Sequence, residues 1–314
     1  MTDTPARVAV LVPCYNEEAA IALVVRDFRA ALPDAAIYVY DNNSKDKTAE
    51  RARDAGAIVS SETRQGKGNV VRRMFADIEA DIYVLVDGDD TYDAFVAPAL
   101  VRKLVAENLD IVSGRRIATG QAAYRAGHVL GNRLLTGLTA MMFRVKLGDL
   151  LTGYRVMSRR FVKSFPFTAE GFGIETELTV HAVRLLMPMV EVDTKYKERP
   201  AGSVSKLNTY RDGVRILLTI TSLVREERPL IFFSGIFAML AILSLLVGTP
   251  VVLEFVRTGY VPRLPTALLA TALMILAFLS LASGLILDTV TRGRWELKRI
   301  AYLAIPGPKD LKLP

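Results

Sequence analysis

Ile82-Tyr83-Val84-Leu85-Val86-Asp87-Gly88-Asp89-Asp90-Thr91-Tyr92 is an apolar strand that runs straight into three carboxylates. Side chains two apart on an extended segment point to one side. Asp87 and Asp89 can therefore share one divalent cation, while Gly88 between them lets backbone and ligand approach closely. Hard carboxylate oxygens suit Mg²⁺ or Mn²⁺, which complete their shells with water and phosphate oxygens. The same letters also describe an Asp-Gly turn that only ends a strand. The surrounding chain decides between the two.

Upstream, residues 7–12 read as a buried strand closed by Pro13. After Cys14-Tyr15-Asn16-Glu17-Glu18, a helical spacing of Ile21, Val24, Val25, Phe28 and Leu32 begins. Residues 36–40 form a second strand that enters the polar loop Asp41-Asn42-Asn43-Ser44-Lys45-Asp46-Lys47-Thr48. Residues 57–60 form a third, before the glycine loop Gln65-Gly66-Lys67-Gly68-Asn69 and a helix over 70–80. Strands alternating with helices predict an α/β domain, a parallel sheet with helices on both faces, and ligands bound beyond the carboxyl ends of the strands. Asn69 stands where a Walker A loop has Ser or Thr, and no GxGxxG follows the first strand. What remains is a nucleotide-diphosphate pocket that holds phosphate with a metal rather than with glycines.

Downstream, a helix over 93–106 and a strand over 110–113 lead to Gly114-Arg115-Arg116, read as a phosphate clamp in preference to a solvated edge. Residues 127–145 carry Leu130, Leu134, Leu138 and Met141 with few charges, as either core or a helix lying on a bilayer. Arg133 in that stretch, and Arg155 after the turn Gly148-Asp149-Leu150-Leu151-Thr152-Gly153-Tyr154, join Arg115 and Arg116 as candidates for an acceptor phosphate. Glu175 and Glu177 open a helix, where the dipole alone accounts for acids. A strand over 189–197 precedes the basic loop 198–206, a flap over phosphates or a surface linker.

The chain has 314 residues, 51% of them hydrophobic, and a formal charge of +7. One cysteine, Cys14, excludes an internal disulfide framework, and two histidines, His128 and His181, leave no Cys/His zinc cluster. No nucleic-acid signature accompanies the basic residues, so nucleic acid is not an expected partner; many of them flank apolar helices, where anionic lipid headgroups lie. Residues 208–227 alternate Arg211, Arg215 and Arg225 with apolar positions, as an interfacial helix does. Residues 229–253 and 264–287 are uncharged and each long enough to span a bilayer. The expected organisation is a catalytic domain over 1–207, an interfacial helix over 208–228, a transmembrane hairpin over 229–288 and a cytosolic tail over 289–314. Arg225, Arg228, Arg292, Arg294, Lys298 and Arg299 flank the outer ends of the hairpin, and the apolar run after Arg7 is too short for a signal peptide. A multi-pass membrane protein with both termini and its catalytic domain in the cytosol is expected. The absence of ionisable residues inside the spans argues against a transport pathway.

Val12-Pro13-Cys14-Tyr15-Asn16-Glu17-Glu18, Asp41 to Thr48, Gln65-Gly66-Lys67-Gly68 and Asp87-Gly88-Asp89, in this order, resemble the motifs of family 2 glycosyltransferases of GT-A fold. More narrowly, the chain is similar to the dolichol-phosphate mannosyltransferase-like branch that makes polyprenyl-phosphate sugars. The resemblance covers roughly residues 7–226, with a hairpin like that of membrane-anchored members. It implies that Pro13, Tyr15, Glu17, Val39, Asp41 and Lys67 serve the nucleotide-sugar donor, and that Asp87, Gly88 and Asp89 hold its diphosphate with Mg²⁺ or Mn²⁺. Asp87, Asp89 and Arg115 become the catalytic set, and Arg115, Arg199 and Lys206 match basic positions around donor and acceptor phosphates. Two departures stand out: Thr91 replaces the Gln that relatives often use as a further metal ligand, and the Arg199-to-Lys206 spacing is one residue longer than usual.

The acceptor follows from chemistry. A hydroxyl needs a general base, whereas a lipid monophosphate with a second pKa near ~6 is already mostly dianionic. With a polyprenyl or dolichyl phosphate as acceptor, in-line attack inverts the anomeric carbon. The alternatives are a transferase acting on a lipid or polysaccharide hydroxyl, with Asp149 or Glu175 as base, an inactive nucleotide-sugar-binding scaffold subunit, and, more weakly, an acid-metal nucleotidyltransferase. A UDP-hexose or UDP-N-acetylhexosamine is preferred over GDP-mannose as donor, and a homo-oligomer is left open.

Overall fold

The structure, a computed structural model, describes residues 5–118, 136–137, 141, 148–166, 173–197, 218 and 221–313. Among them the chain runs β1 (Val8–Cys14), α1 (Ile21–Ala31), β2 (Ala36–Asp41), α2 (Thr48–Asp54), β3 (Ile58–Ser61), α3 (Lys67–Asp77) and β4 (Ile82–Leu85). There follow a 3₁₀ turn (Ala94–Val96), α4 (Ala97–Ala106), β5 (Ile111–Ala118), β6 (Arg155–Ser158), α5 (Arg159–Ser164), α6 (Ile174–Arg184) and β7 (Met189–Tyr196). The seven strands form one sheet in the order β3-β2-β1-β4-β6-β5-β7.

Neighbours β3-β2-β1-β4 are all parallel, as is β5 with β7, while β6 runs against both β4 and β5. The sheet is thus mostly parallel, with one reversed strand that alternating strand and helix patterns do not reveal. From β1 the chain moves outward through β2 and β3 and then returns to lay β4 on the other side. The ends of β1 and β4 therefore flank a switch point, where open α/β sheets bind ligands.

Strand residues alternate between two cores. Val8, Val10, Val12, Ile82, Val84 and Val86 pack with Val24, Val25 and Phe28 of α1 and Leu100 and Leu104 of α4. Ala9, Leu11, Tyr83 and Leu85 pack with Val70, Val71, Met74 and Phe75 of α3 and Leu178 of α6. Burial on both faces explains why these strands read as continuous apolar runs. The helix expected over 93–106 begins instead with the 3₁₀ turn, capped by Asp93, whose carboxylate accepts from the Phe95 N–H at 3.0 Å.

The chain divides into two compact units, residues 1–216 with 298–314, and residues 217–297. The last segment, read from sequence as a tail, thus builds into the first unit. Tyr302 Oη donates to buried Asp110 at 2.8 Å, Arg160 pairs with the same carboxylate at 2.5 Å and lies over the Tyr302 ring, and the Ala6 N–H donates to the Lys312 carbonyl at 2.7 Å. In the second unit lie the apolar parts of α7 (Pro229–Thr258) and α8 (Leu264–Leu303), each long and apolar enough to cross a membrane. Ser244 Oγ donates to the Ala270 carbonyl at 2.7 Å, Ser280 Oγ donates to the Phe233 carbonyl at 3.1 Å, and Phe237 packs on Phe278. Small hydroxyls that meet backbone carbonyls in this way let apolar helices approach closely. The apolar stretch 127–145, apart from 136–137 and 141, the loop 198–206 and most of 208–220 lie outside the described residues.

Buried His181 on α6 packs edge-on against Phe161 and Phe165, with Nε2 at 3.2 Å from Ser164 Oγ. Burial, helped by Lys298, lowers its pKa from 6.5 to about 3. Between these values the unfolded chain takes up a proton that the folded chain refuses, so stability rises with pH across this window and is lost as pH falls through it. Acid unfolding of the wild type between pH 6 and 4 is expected to be steeper than that of His181→Gln, by up to about 1.4 kcal/mol per pH unit. Equal slopes in denaturant titrations would remove His181 from the acid response.

Candidate active site

The loops after β1 and β2 are laced together at the switch point. Asn16, with φ 52°, donates its N–H to Ser44 Oγ at 2.8 Å and accepts the Lys45 N–H on Oδ1 at 2.8 Å; the Glu17 N–H donates to Thr48 Oγ1 at 2.8 Å. Asn42 fixes the glycine loop to the same edge. Its N–H donates to the Cys14 carbonyl at 2.9 Å, its amide donates to the carbonyls of Glu62 and Arg64 at 2.8 Å each, and its Oδ1 accepts the Gly66 N–H at 2.6 Å.

Asp41, at the end of β2, is buried; one oxygen accepts the Ser44 N–H at 3.2 Å and the other, Oδ1, has no hydrogen-bond partner among the described residues. A buried acceptor without a donor is rare and invites a ligand's N–H or O–H. Tyr15 and Glu17 are half-buried just after Cys14, the register partner of Asp41, Pro13 is buried, and the Val39 side chain belongs to the core, so any ligand contact at Val39 is left to its backbone.

Asp87 is half-exposed and Asp89 buried. Gly88 is required between them, because a Cβ there would stand 2.5 Å from Cys14 Sγ. Burial, then the negative charges of Glu17, Asp41, Asp87 and Asp89, push the Cys14 thiol well above its ordinary pKa. Four acids from three loops thus bear on one buried atom. Asp89 Oδ1 accepts from Thr91 Oγ1 at 2.6 Å and from the Thr91 N–H at 3.3 Å, so Thr91 orients Asp89 as a donor. Asp90, at φ 57°, has its pKa raised by burial, against the pull of Lys197 3.8 Å away.

Lys67 Nζ lies 2.5 Å from Asp87 Oδ1 and 2.6 Å from Glu175 Oε1. Burial works to lower the Lys67 pKa, but the two carboxylates outweigh it and hold the ammonium above its ordinary value. Behind Asp87, Gly153 leaves no space for a Cβ, which would overlap the carboxylate; its N–H donates to Tyr92 Oη at 2.8 Å. Gly153, Tyr92, Asn42 and the Lys67–Glu175 contact are site features that local sequence did not single out, since each depends on contacts between distant segments.

The arginines divide. Neighbours on β5 project to opposite faces. Arg115, exposed, pairs with Asp193 of β7 at 2.5 Å, and Arg116 forks onto buried Asp149 at 2.7 and 2.8 Å and lies over the Tyr196 ring. Arg155 requires a correction: it is 1% exposed and donates to the carbonyls of Leu150, Thr152 and Glu175 and to Thr179 Oγ1, so it braces the site from below and offers nothing to an acceptor phosphate. Arg133, Arg199 and Lys206 lie outside the described residues.

Among the described residues no group of three His, Cys, Asp or Glu is arranged to hold a metal ion. Two carboxylates are nevertheless a donor set of the right chemistry for Mg²⁺ or Mn²⁺, provided that a ligand's phosphate oxygens and water complete the shell.

Comparisons with known proteins bear on this edge. The chain is 36% identical over 236 residues to glycosyltransferase AglJ of Haloferax volcanii, covering 74% of this chain and 77% of that one. It is 31% identical over 220 residues to a dolichyl-phosphate hexose transferase of the same organism, covering 70% and 95%. Glucosyl-3-phosphoglycerate synthase of Mycobacterium tuberculosis, solved with Mn²⁺, UDP-glucose and glycerol 3-phosphate, shares the fold with a TM-score of 0.57 and 25% identity over 70% of this chain and 79% of that one. The model of glycosyl transferase family 2 matches residues 9–165, from β1 through the DGD edge to α5, and with these relatives it establishes that the chain is a glycosyltransferase belonging to family 2.

Proposed function

We propose that the protein is a membrane-anchored, inverting glycosyltransferase that moves a sugar from a nucleotide-diphosphate sugar, preferably a UDP-sugar, to a polyprenyl or dolichyl phosphate. The observation that carries this reading is that both carboxylates considered as general bases are held by cations: Asp149 by the Arg116 fork and Glu175 by Lys67. An acceptor that is already anionic needs no base. The two long apolar helices and the relative named as a dolichyl-phosphate hexose transferase favour a lipid acceptor over a soluble one.

In this reading Asp41 Oδ1 accepts a hydrogen bond from the nucleotide, and Asp87 and Asp89 hold a divalent cation. When bound, that cation stabilises the charge that develops on the leaving diphosphate, help worth several kcal/mol. Lys67 adds positive charge beside the same position. Arg115, exposed at the sheet edge, exchanges Asp193 for the acceptor phosphate. Basic residues at the outer ends of the two apolar segments favour a cytosolic catalytic unit and cytosolic termini.

Given equal amounts of a short polyprenyl phosphate and the matching free polyprenol, the full chain is expected to transfer labelled sugar to the phosphate alone, in a form that mild acid releases. Acid-stable label on polyprenol or on another hydroxyl compound would overturn the acceptor assignment.

A further inference from the structure

We infer that Lys67 is an exchangeable counter-cation for the proposed metal position, and that Glu175 is the positioning residue that keeps hold of it when a divalent cation takes Asp87. This rests on the cation site proposed at Asp87 and Asp89. One ammonium bridges two carboxylates, at 2.5 Å from Asp87 Oδ1 and 2.6 Å from Glu175 Oε1. A divalent cation on Asp87 would repel an ammonium on the same carboxylate, so the two compete for it. Asp87 has little freedom to turn away, because Gly153 packs directly against its carboxylate. Lys67 is the partner that moves, on a flexible stem at the first residue of α3.

Glu175 is fixed to receive it. Its carbonyl accepts Arg155 Nη2 at 3.0 Å and Thr179 Oγ1 at 3.0 Å, which holds the first turn of α6 against the sheet. Held by Glu175, Lys67 stays in the cluster while Asp87 is given up to the divalent cation. Without Glu175, Lys67 remains on Asp87 and competes with the incoming cation.

The test is Mn²⁺ binding to the detergent-solubilised full chain saturated with UDP, whose phosphate oxygens complete the shell, read as loss of the free-ion electron paramagnetic resonance signal beyond that caused by UDP alone, with neither sugar donor nor acceptor present. Lys67→Gln is expected to tighten Mn²⁺ about tenfold and Glu175→Gln to weaken it about tenfold, while Glu175→Gln in the Lys67→Gln background changes affinity by less than about threefold, the non-additivity of coupled residues. Thermal unfolding confirms that each variant is folded. Equal weakening by Glu175→Gln in both backgrounds would mean that Glu175 acts through its charge alone and would overturn the exchange. Mn²⁺ binding absent from the wild type, or unchanged in Asp89→Asn, would remove the cation site and the exchange with it.

Discussion

Asp89→Asn is expected to lower sugar transfer by about a thousandfold or more while leaving the unfolding midpoint close to that of the wild type. Asn keeps the shape of the side chain and an oxygen that can accept from Thr91 Oγ1, now 2.6 Å from Asp89 Oδ1, so the turn after β4 is preserved. In the proposed site, what is lost is one of the two carboxylates assigned to the cation, where the leaving diphosphate would develop charge. Initial rates with saturating donor and acceptor, paired with thermal unfolding of the same preparation, separate the two effects. Near-normal turnover would show that Asp89 is a buried turn residue and that the strand merely ends in an Asp-Gly turn.

Arg155→Met is expected to cost about 3–5 kcal/mol of stability, the scale for removing one partner from a buried charged network. The guanidinium donates to Thr152 at 3.2 Å, Thr179 at 2.9 Å, Leu150 at 2.8 Å and Glu175 at 3.0 Å. Removing it takes this donor from the carbonyls of Leu150 and Thr152 and leaves the Glu175 carbonyl with the Thr179 hydroxyl. Burial lowers the pKa of this arginine, against the pull of the nearby carboxylates of Glu175 and Asp149. Arg155→Lys should recover only part of the loss, because one ammonium lacks the planar fork that reaches both the 150–152 turn and the start of α6. Denaturant unfolding followed by near-ultraviolet circular dichroism reads the loss directly, and wild-type stability in Arg155→Met would show that the turn holds itself. Activity should fall in parallel, since Gly153 and Glu175 flank the residue pair at the cation position.

The residues that announce this site are those whose role is local. Asp87-Gly88-Asp89 follows an apolar strand, the loops after β1 and β2 begin where the apolar runs stop, and the burial of β1 and β4 on both faces is visible in their continuous apolar composition. What local sequence hides is pairing at long range. Nothing near Arg155 distinguishes an arginine that binds phosphate from one that holds three carbonyls, and nothing near Arg116 shows that Asp149, 33 positions away, neutralises it. The reversal of β6 is hidden for the same reason, since direction within a sheet is set by where the chain returns and not by the pattern of the strand itself. Thr91 is the instructive intermediate: its identity raises the question of a missing metal ligand, and its hydroxyl, bonded to Asp89, answers with orientation instead of coordination.

The chemistry of the product decides which acceptor the enzyme uses. Purified full chain, Mn²⁺ or Mg²⁺ and a short polyprenyl phosphate are incubated with a panel of UDP- and GDP-sugars, and the lipid fraction is weighed by mass spectrometry. The expected result is a sugar-phosphate lipid from one donor, absent with Asp89→Asn. Measurable nucleotide binding with no sugar-phosphate lipid from any donor would contradict the account and move the acceptor to a hydroxyl compound.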